Sequence, residues 1–242
     1  MDVEYMLTER IAKIGGVHVR TIVGESPEFD NADFFFKSSN VVAELKSLDE
    51  DLICTPSFIE RATAIHLEAQ RADPTSPIAF GSIELTTSGR PGEFAKKIQD
   101  LYYEPFKRCI KKANKQIKLT AKHLRLEAQQ GLVVIANNNH TGLDPGHAKV
   151  LLDELFLRER FQGVNSVVYL SAGQGIRVIG ERQRHDIFME YRNPHVPELD
   201  RWFLDRFRAI WMQTLSAHRG YEHFTAQAVN TELLAAITNR PK

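Results

Sequence analysis

Asp33, Glu44 and Lys46 are the residues of this 242-residue chain whose types and spacing could do chemistry. They lie in the stretch Asn31-Ala-Asp-Phe-Phe-Phe-Lys-Ser-Ser-Asn-Val-Val-Ala-Glu-Leu-Lys46. Its pattern predicts two short apolar strands, 32–36 and 41–46, joined by a polar turn from Lys37 to Asn40. A two- or four-residue turn pairs Phe36 with Val41 and so sets Asp33 directly opposite Glu44, with Cβ atoms about 4.5–5.5 Å apart. Side chains alternate along a strand, so Lys46 shares the face of Glu44. Two opposed carboxylates repel, and more strongly when buried, unless one takes a proton or a cation lies between them. A divalent ion is the natural occupant. A charged pair at a strand end is commonly just a solvated edge. What favours chemistry here is the combination of an Asp inside one apolar run with a Glu-x-Lys in matching register on the next.

This arrangement resembles the active site of the PD-(D/E)xK nuclease superfamily, the restriction-endonuclease-like fold, over about residues 1–50 and more loosely over 105–170. The Pro that often precedes the Asp is missing, and Asn31 and Ala32 stand there instead. The resemblance implies an α/β chain with a restriction-endonuclease-like core, a mixed central sheet flanked by helices, and an insertion after the Glu-x-Lys strand. It implies Mg²⁺, with Mn²⁺ as a substitute, held by Asp33, Glu44 and the backbone carbonyl of Leu45. Lys46 would position the attacking water or stabilise the developing anion. The implied activity is that of a nuclease, an endonuclease on DNA in preference to RNA, leaving 5′-phosphate and 3′-hydroxyl ends, and by analogy a homodimer. The helix after the Glu-x-Lys strand often supplies a Gln or Lys, for which Lys115 and Gln116 are the candidates. The competing function class is a non-catalytic nucleic-acid or protein-binding module on the same fold, and a divalent-metal affinity separates the two.

The elements that must position these residues follow from periodicity. A helix over 2–14 carries an apolar stripe at Val3, Leu7, Ile11 and Ile14 and stops at Gly15-Gly16. A strand is expected at 17–23, then the hairpin. An insertion of about 47–92 follows, with a helix at 57–71 and a strand at 78–85. Leu132–Ala136 is a continuous apolar run of the kind found in buried central strands. Further expectations are a helix from 145 to 161, strands at 166–170, 176–179 and 187–191, and a closing helix at 198–217. One nuclease-like domain spanning 1–242 accommodates all of this.

Between Glu93 and Arg125 ten basic residues face three acidic ones on a helix expected to end near Gln130. Phe106, Ile110, Ala113, Ile117, Ala121 and Leu124 mark its core side, so Lys111, Lys115, Lys118 and Lys122 project outward as a ridge suited to phosphates, or as a solvated face. For a third acid, Glu4 flanks the apolar stripe of the first helix while Glu9 points away from it, although the helix dipole alone also favours Glu4. His140, Asp144 and His147 read less well as metal ligands, because Asp144-Pro145 is explained as a helix N-cap followed by proline. The Asn137-Asn138-Asn139 loop either contacts phosphate or satisfies turn geometry. Net charge is zero, which argues against a general nucleic-acid coat protein. Cys54 and Cys109 have no metal-ligand spacing and imply a reducing compartment. No signal peptide or membrane span is read, so the expected location is cytoplasmic and no membrane partner is expected.

Overall fold

The computed structural model describes residues 3–24, 27–72, 92–140, 143, 145–171, 176–177, 184–185 and 187–219. Its centre is a six-stranded open sheet with the order β1-β2-β3-β4-β5-β8, built from Gly16–His18 (β1), Phe34–Phe36 (β2), Val41–Leu48 (β3), Gln130–Asn137 (β4), Ser166–Ser171 (β5) and Phe188–Arg192 (β8). Strands β1, β2 and β3 pair antiparallel, β3, β4 and β5 run parallel, and β8 pairs antiparallel with β5. A separate two-stranded ribbon, Ile176–Arg177 (β6) with Arg184–His185 (β7), lies between β5 and β8 in sequence. The sheet is therefore mixed and flanked by helices, as expected. The strand expected at 78–85 lies outside the described residues, as do positions 178 and 179.

Burial on both faces explains the apolar runs, because parallel central strands are covered by helices on each side. On one face Phe35, Val42, Val133, Ile135, Val167 and Tyr169 pack under Gly92–His123 (α4) and Pro145–Arg158 (α5). On the other, Phe34, Phe36, Val41, Ala43, Leu45, Val134 and Val168 pack under Val3–Ile11 (α1) and Arg201–Arg219 (α6). The strict alternation along β3 puts Glu44 and Lys46 on the α4 face, between Val42 and Leu48. Among the described residues no helix is long and apolar enough to cross a membrane.

Several boundaries differ from the sequence expectation, each for a local reason. The first helix becomes α1 plus a 3₁₀ turn at Ala12–Ile14, closed by Gly15 at φ 76°, where glycine has no steric cost. The strand expected at 17–23 stops at His18. There the Thr21 hydroxyl donates to the His18 carbonyl at 2.7 Å, and Arg20–Val23 (α2) forms a single helical turn. Helix α4 ends at His123 rather than near Gln130, because Arg125 adopts φ 55° and Gln130 already belongs to β4. Helix α6 begins at Arg201 because Asp200 caps it, accepting from the Trp202 N–H at 2.9 Å. In the segment 47–92, Ser47 and Leu48 complete β3 and Pro56–Ala72 (α3) packs on α4 through Ala62, Phe94, Ile98 and Leu101.

The start of β4 is held at close quarters. The Gly131 N–H donates to Asn165 Oδ1 at 2.6 Å and its carbonyl accepts from the Asn165 N–H at 2.8 Å. A Cβ on Gly131 would lie 1.8 Å from the Gly163 carbonyl oxygen, so only glycine fits. Gly131→Ala is expected to cost about 2–3 kcal/mol by overpacking against backbone that cannot rotate away. Thermal melting should show a Tm lower by about 5–10 °C, and an unchanged Tm would mean that the approach is looser than this.

Candidate active site at the β2–β3 hairpin

Strand pairing in the hairpin is Phe34 with Ala43, Phe35 with Val42 and Phe36 with Val41. The turn has four residues, a 3₁₀ turn Lys37–Ser39 followed by Asn40 at φ 51°. Continuing the register sets Asp33, immediately before β2, opposite Glu44. The two side chains share a face, because Phe35, two residues from Asp33, and Val42, two residues from Glu44, belong to the same cluster under α4.

Asp33 is held by backbone as well as by register. One carboxylate oxygen accepts from the Leu45 N–H at 2.7 Å, and the Asp33 carbonyl accepts from the Val19 N–H at 2.9 Å. The chain leading into it is tied to α4. The Ala32 N–H donates to Thr120 Oγ1 at 2.8 Å, the Gln116 amide donates to the Asn31 carbonyl at 2.9 Å, and Lys115 pairs with Asp30 at 3.1 Å. Gln116 and Thr120 are one turn apart on a helix and present the same face to this loop.

Glu44 is 1 % exposed. Lys46 donates from Nζ to Glu44 Oε1 and to Gln116 Oε1, the latter at 3.0 Å, so Gln116 links Lys46 to the Asn31 backbone. Among the described residues no donor reaches Glu44 Oε2, which is fully buried. Burial, and after it the Asp33 charge, pushes the Glu44 carboxyl up from its ordinary 4.5 to about 8, against the opposing pull of Lys46. Cys109, one helical stripe along α4, feels the same surroundings. Burial first raises its thiol to about 11, with Lys46 and Glu44 acting on it in opposite directions.

Such a site suits a small hard cation. Asp33 and Glu44 supply carboxylate oxygens, and among the described residues no donor satisfies Glu44 Oε2. A strand residue's N–H and C=O face the same edge, so the Leu45 carbonyl points where β2 has already ended. Among the described residues no group of three His, Cys, Asp or Glu side chains could hold a metal ion. Two carboxylates, one carbonyl and water make the kind of shell that Mg²⁺ takes, because it dehydrates reluctantly and needs few protein ligands.

The structure brings together Asp33, Glu44, Leu45, Lys46 and Gln116. Lys111, Lys115, Lys118 and Lys122 are all exposed on α4, as a ridge would require. At 3.6 residues per turn they span about 60° of arc, and Gln116 lies about 100–160° round the helix from them. The ridge thus points outward, and Lys112, also exposed, stands between it and the site. Charge reduction at Lys112 and Lys115 should therefore matter more than at Lys118 and Lys122. The double Gln variant of the first pair is expected to lower the salt slope of nucleic-acid binding by about 1.5. Fluorescence anisotropy from low to moderate salt reads that slope, and an unchanged value makes these lysines a solvated face. The side chain of Glu4 is outside the described part of α1, a helix that packs on the sheet face opposite Glu44.

Thr120 was not singled out in the sequence, and Cys109 was read only as a cysteine without metal-ligand spacing. For Thr120 the available signal was a polar residue one turn after Gln116 inside the apolar face of α4. One strand over, Asn137 satisfies its own loop. Its amide donates to the carbonyls of His140 and Leu143 at 2.9 Å each, and its carbonyl oxygen accepts from the His140 N–H at 2.8 Å. His140 is buried with Nδ1 3.1 Å from Asp51. Burial lowers its pKa, and the Asp51 charge opposes this. Asp144 lies outside the described residues, and His147 packs edge-on against Tyr102 with ring centroids 4.6 Å apart.

In comparisons with known proteins, no family model, no curated protein and no solved structure matches the chain.

Proposed function

We propose that the protein is a divalent-metal-dependent phosphodiesterase acting on nucleic acid, an endonuclease of the PD-(D/E)xK type. The observation that carries this reading is the opposed pair Asp33 and Glu44, with Glu44 buried and one of its oxygens without a donor among the described residues. A buried carboxylate costs several kcal/mol, a cost that the hydrogen bond from Lys46 offsets in part and a bound cation or a proton would offset further.

Asp33, Glu44 and the Leu45 carbonyl hold Mg²⁺, for which Mn²⁺ substitutes. The ion supplies Lewis acidity and positive charge at the scissile phosphate. The Leu45 N–H keeps Asp33 aimed at the site. Lys46, ion-paired with Glu44, orients the attacking water and counters negative charge as the new P–O bond forms and the old one breaks. Gln116 fixes the Lys46 ammonium by accepting one of its protons and is itself anchored on Asn31. It acts as a positioning residue. Lys112 and Lys115 lie where phosphates of the same strand would pass.

Incubating the protein with labelled DNA and RNA, single- and double-stranded, in Mg²⁺, Mn²⁺ or EDTA tests the reading. Cleavage in either ion and none in EDTA is the expected result. No cleavage of any of the four substrates would reject it.

A further inference from the structure

Asp33 stands at the end of a loop, because strand pairing begins only at Phe34, and the aim of its carboxylate depends on how that loop is tied. The Val19 N–H holds the Asp33 carbonyl from the sheet side. From the other side three residues of α4 hold the loop in succession. Lys115 pairs with Asp30 at 3.1 Å, but both are exposed and water screens them. Gln116 holds the Asn31 carbonyl and also serves Lys46, so it acts on two parts of the site at once. Thr120 differs from both. It is fully buried, as is Ala32, and its hydroxyl oxygen accepts the Ala32 N–H at 2.8 Å. A buried N–H needs an acceptor, and this bond fixes the peptide that immediately precedes Asp33.

We propose that Thr120 is a positioning residue that sets the distance between the Asp33 and Glu44 carboxylates, and through it the preference of the site for Mg²⁺ over a larger ion such as Ca²⁺. This rests on the phosphodiesterase reading. Asp33 in turn accepts from the Leu45 N–H at 2.7 Å, so the connection from α4 through Ala32 and Asp33 to β3 is continuous. Mg²⁺ demands near-octahedral geometry with oxygens about 2.0–2.1 Å away, whereas Ca²⁺ accepts oxygens at about 2.3–2.6 Å in looser arrangements. A carboxylate freed to drift by a fraction of an ångström therefore penalises Mg²⁺ first. Among the described residues Lys46 bonds to Glu44 and Gln116 and not to Thr120, so the effect of Thr120 passes through Asp33.

Titration calorimetry of the full-length chain with Mg²⁺ and with Ca²⁺ tests the proposal in Thr120→Val, which keeps the shape and removes the acceptor. Mg²⁺ affinity should fall about tenfold, the usual effect of losing a group that orients a metal ligand. Ca²⁺ affinity should fall by less than about threefold, because its shell adapts. Thr120→Ser keeps the hydroxyl and should restore the wild-type preference. Thr120→Ala is the second variant, should the first fold poorly. Amide hydrogen exchange, read by NMR without metal, should show the Leu45 N–H exchanging about tenfold faster in Thr120→Val while the amides of β4 keep their protection. Equal losses for the two ions, a loss that Thr120→Ser does not restore, or unchanged exchange at Leu45 would overturn the proposal. Faster Leu45 exchange in a protein whose wild type binds neither ion keeps Thr120 as the anchor of Asp33 and removes the phosphodiesterase reading. Metal-dependent cleavage with an ion preference that Thr120→Val leaves untouched does the reverse.

Discussion

Asp33→Asn, Glu44→Gln and Lys46→Ala should each lower Mg²⁺-dependent cleavage by at least about a hundredfold while the protein stays folded. Removing one preorganised charge-stabilising group from an active site typically costs about 10²–10³ in rate. The first two variants keep size and shape and remove only the charge that holds the ion. Lys46→Arg restores the charge but not the compact ammonium that fits between Glu44 and Gln116, so it should recover only part of the loss. Gln116→Ala should cost less than any of these, because it acts through Lys46. Initial rates on a labelled substrate, with circular dichroism to confirm folding, give the answer. Retention of more than half the wild-type rate in Glu44→Gln would remove Glu44 from the chemistry.

The second large effect concerns stability without metal. The Glu44 carboxyl is raised in the folded state from 4.5 to about 8, chiefly by burial and then by Asp33. An acid with a raised folded-state pKa binds more protons folded than unfolded. Its contribution is thus fully present below about pH 4.5 and is lost as the pH rises towards 8. The rise corresponds to on the order of 5 kcal/mol across that window. Glu44→Gln carries no proton to lose, so in EDTA its melting temperature should be nearly flat where the wild type falls, and at pH 8 the variant should be the more stable. If Glu44→Gln is instead clearly less stable at pH 8, the ion pair with Lys46 is structural and its attraction outweighs burial.

The hairpin was legible because three local constraints agree. The turn residues, the apolar alternation and the four-residue spacing between Phe36 and Val41 leave one register that buries both faces. Gln116 was named, together with Lys115, only because the resemblance implies a Gln or Lys on the helix after the Glu-x-Lys strand. What could not be read locally depends on which elements become neighbours. The hydrogen bond from Ala32 to Thr120 and the Asp51–His140 pair each join residues 88 or more positions apart, across the crossover that makes β3 and β4 parallel. The angular offset between the lysine ridge and Gln116 was present in the helical period. Its meaning appeared only once the loop Asp30–Asp33 was seen docked on one flank of α4. The early end of the strand expected at 17–23, which stops at His18, escaped for a smaller reason. Valines at 17, 19 and 23 suit a strand, but the bond from Thr21 to His18 and those from the Ile22 and Val23 N–H groups to the Val19 carbonyl turn the chain aside.

The central claim is that Asp33 and Glu44 share one divalent cation, and titration calorimetry with Mn²⁺ or Mg²⁺ at pH 7 tests it most directly. Two buffers of different ionisation enthalpy separate metal binding from proton release. The account predicts saturable binding of one ion with release of about one proton, since the ion must displace the proton that burial places on Glu44. In Glu44→Gln both the binding and the proton release should disappear. Absence of saturable binding to the wild type, or binding that Glu44→Gln leaves unchanged, would contradict it.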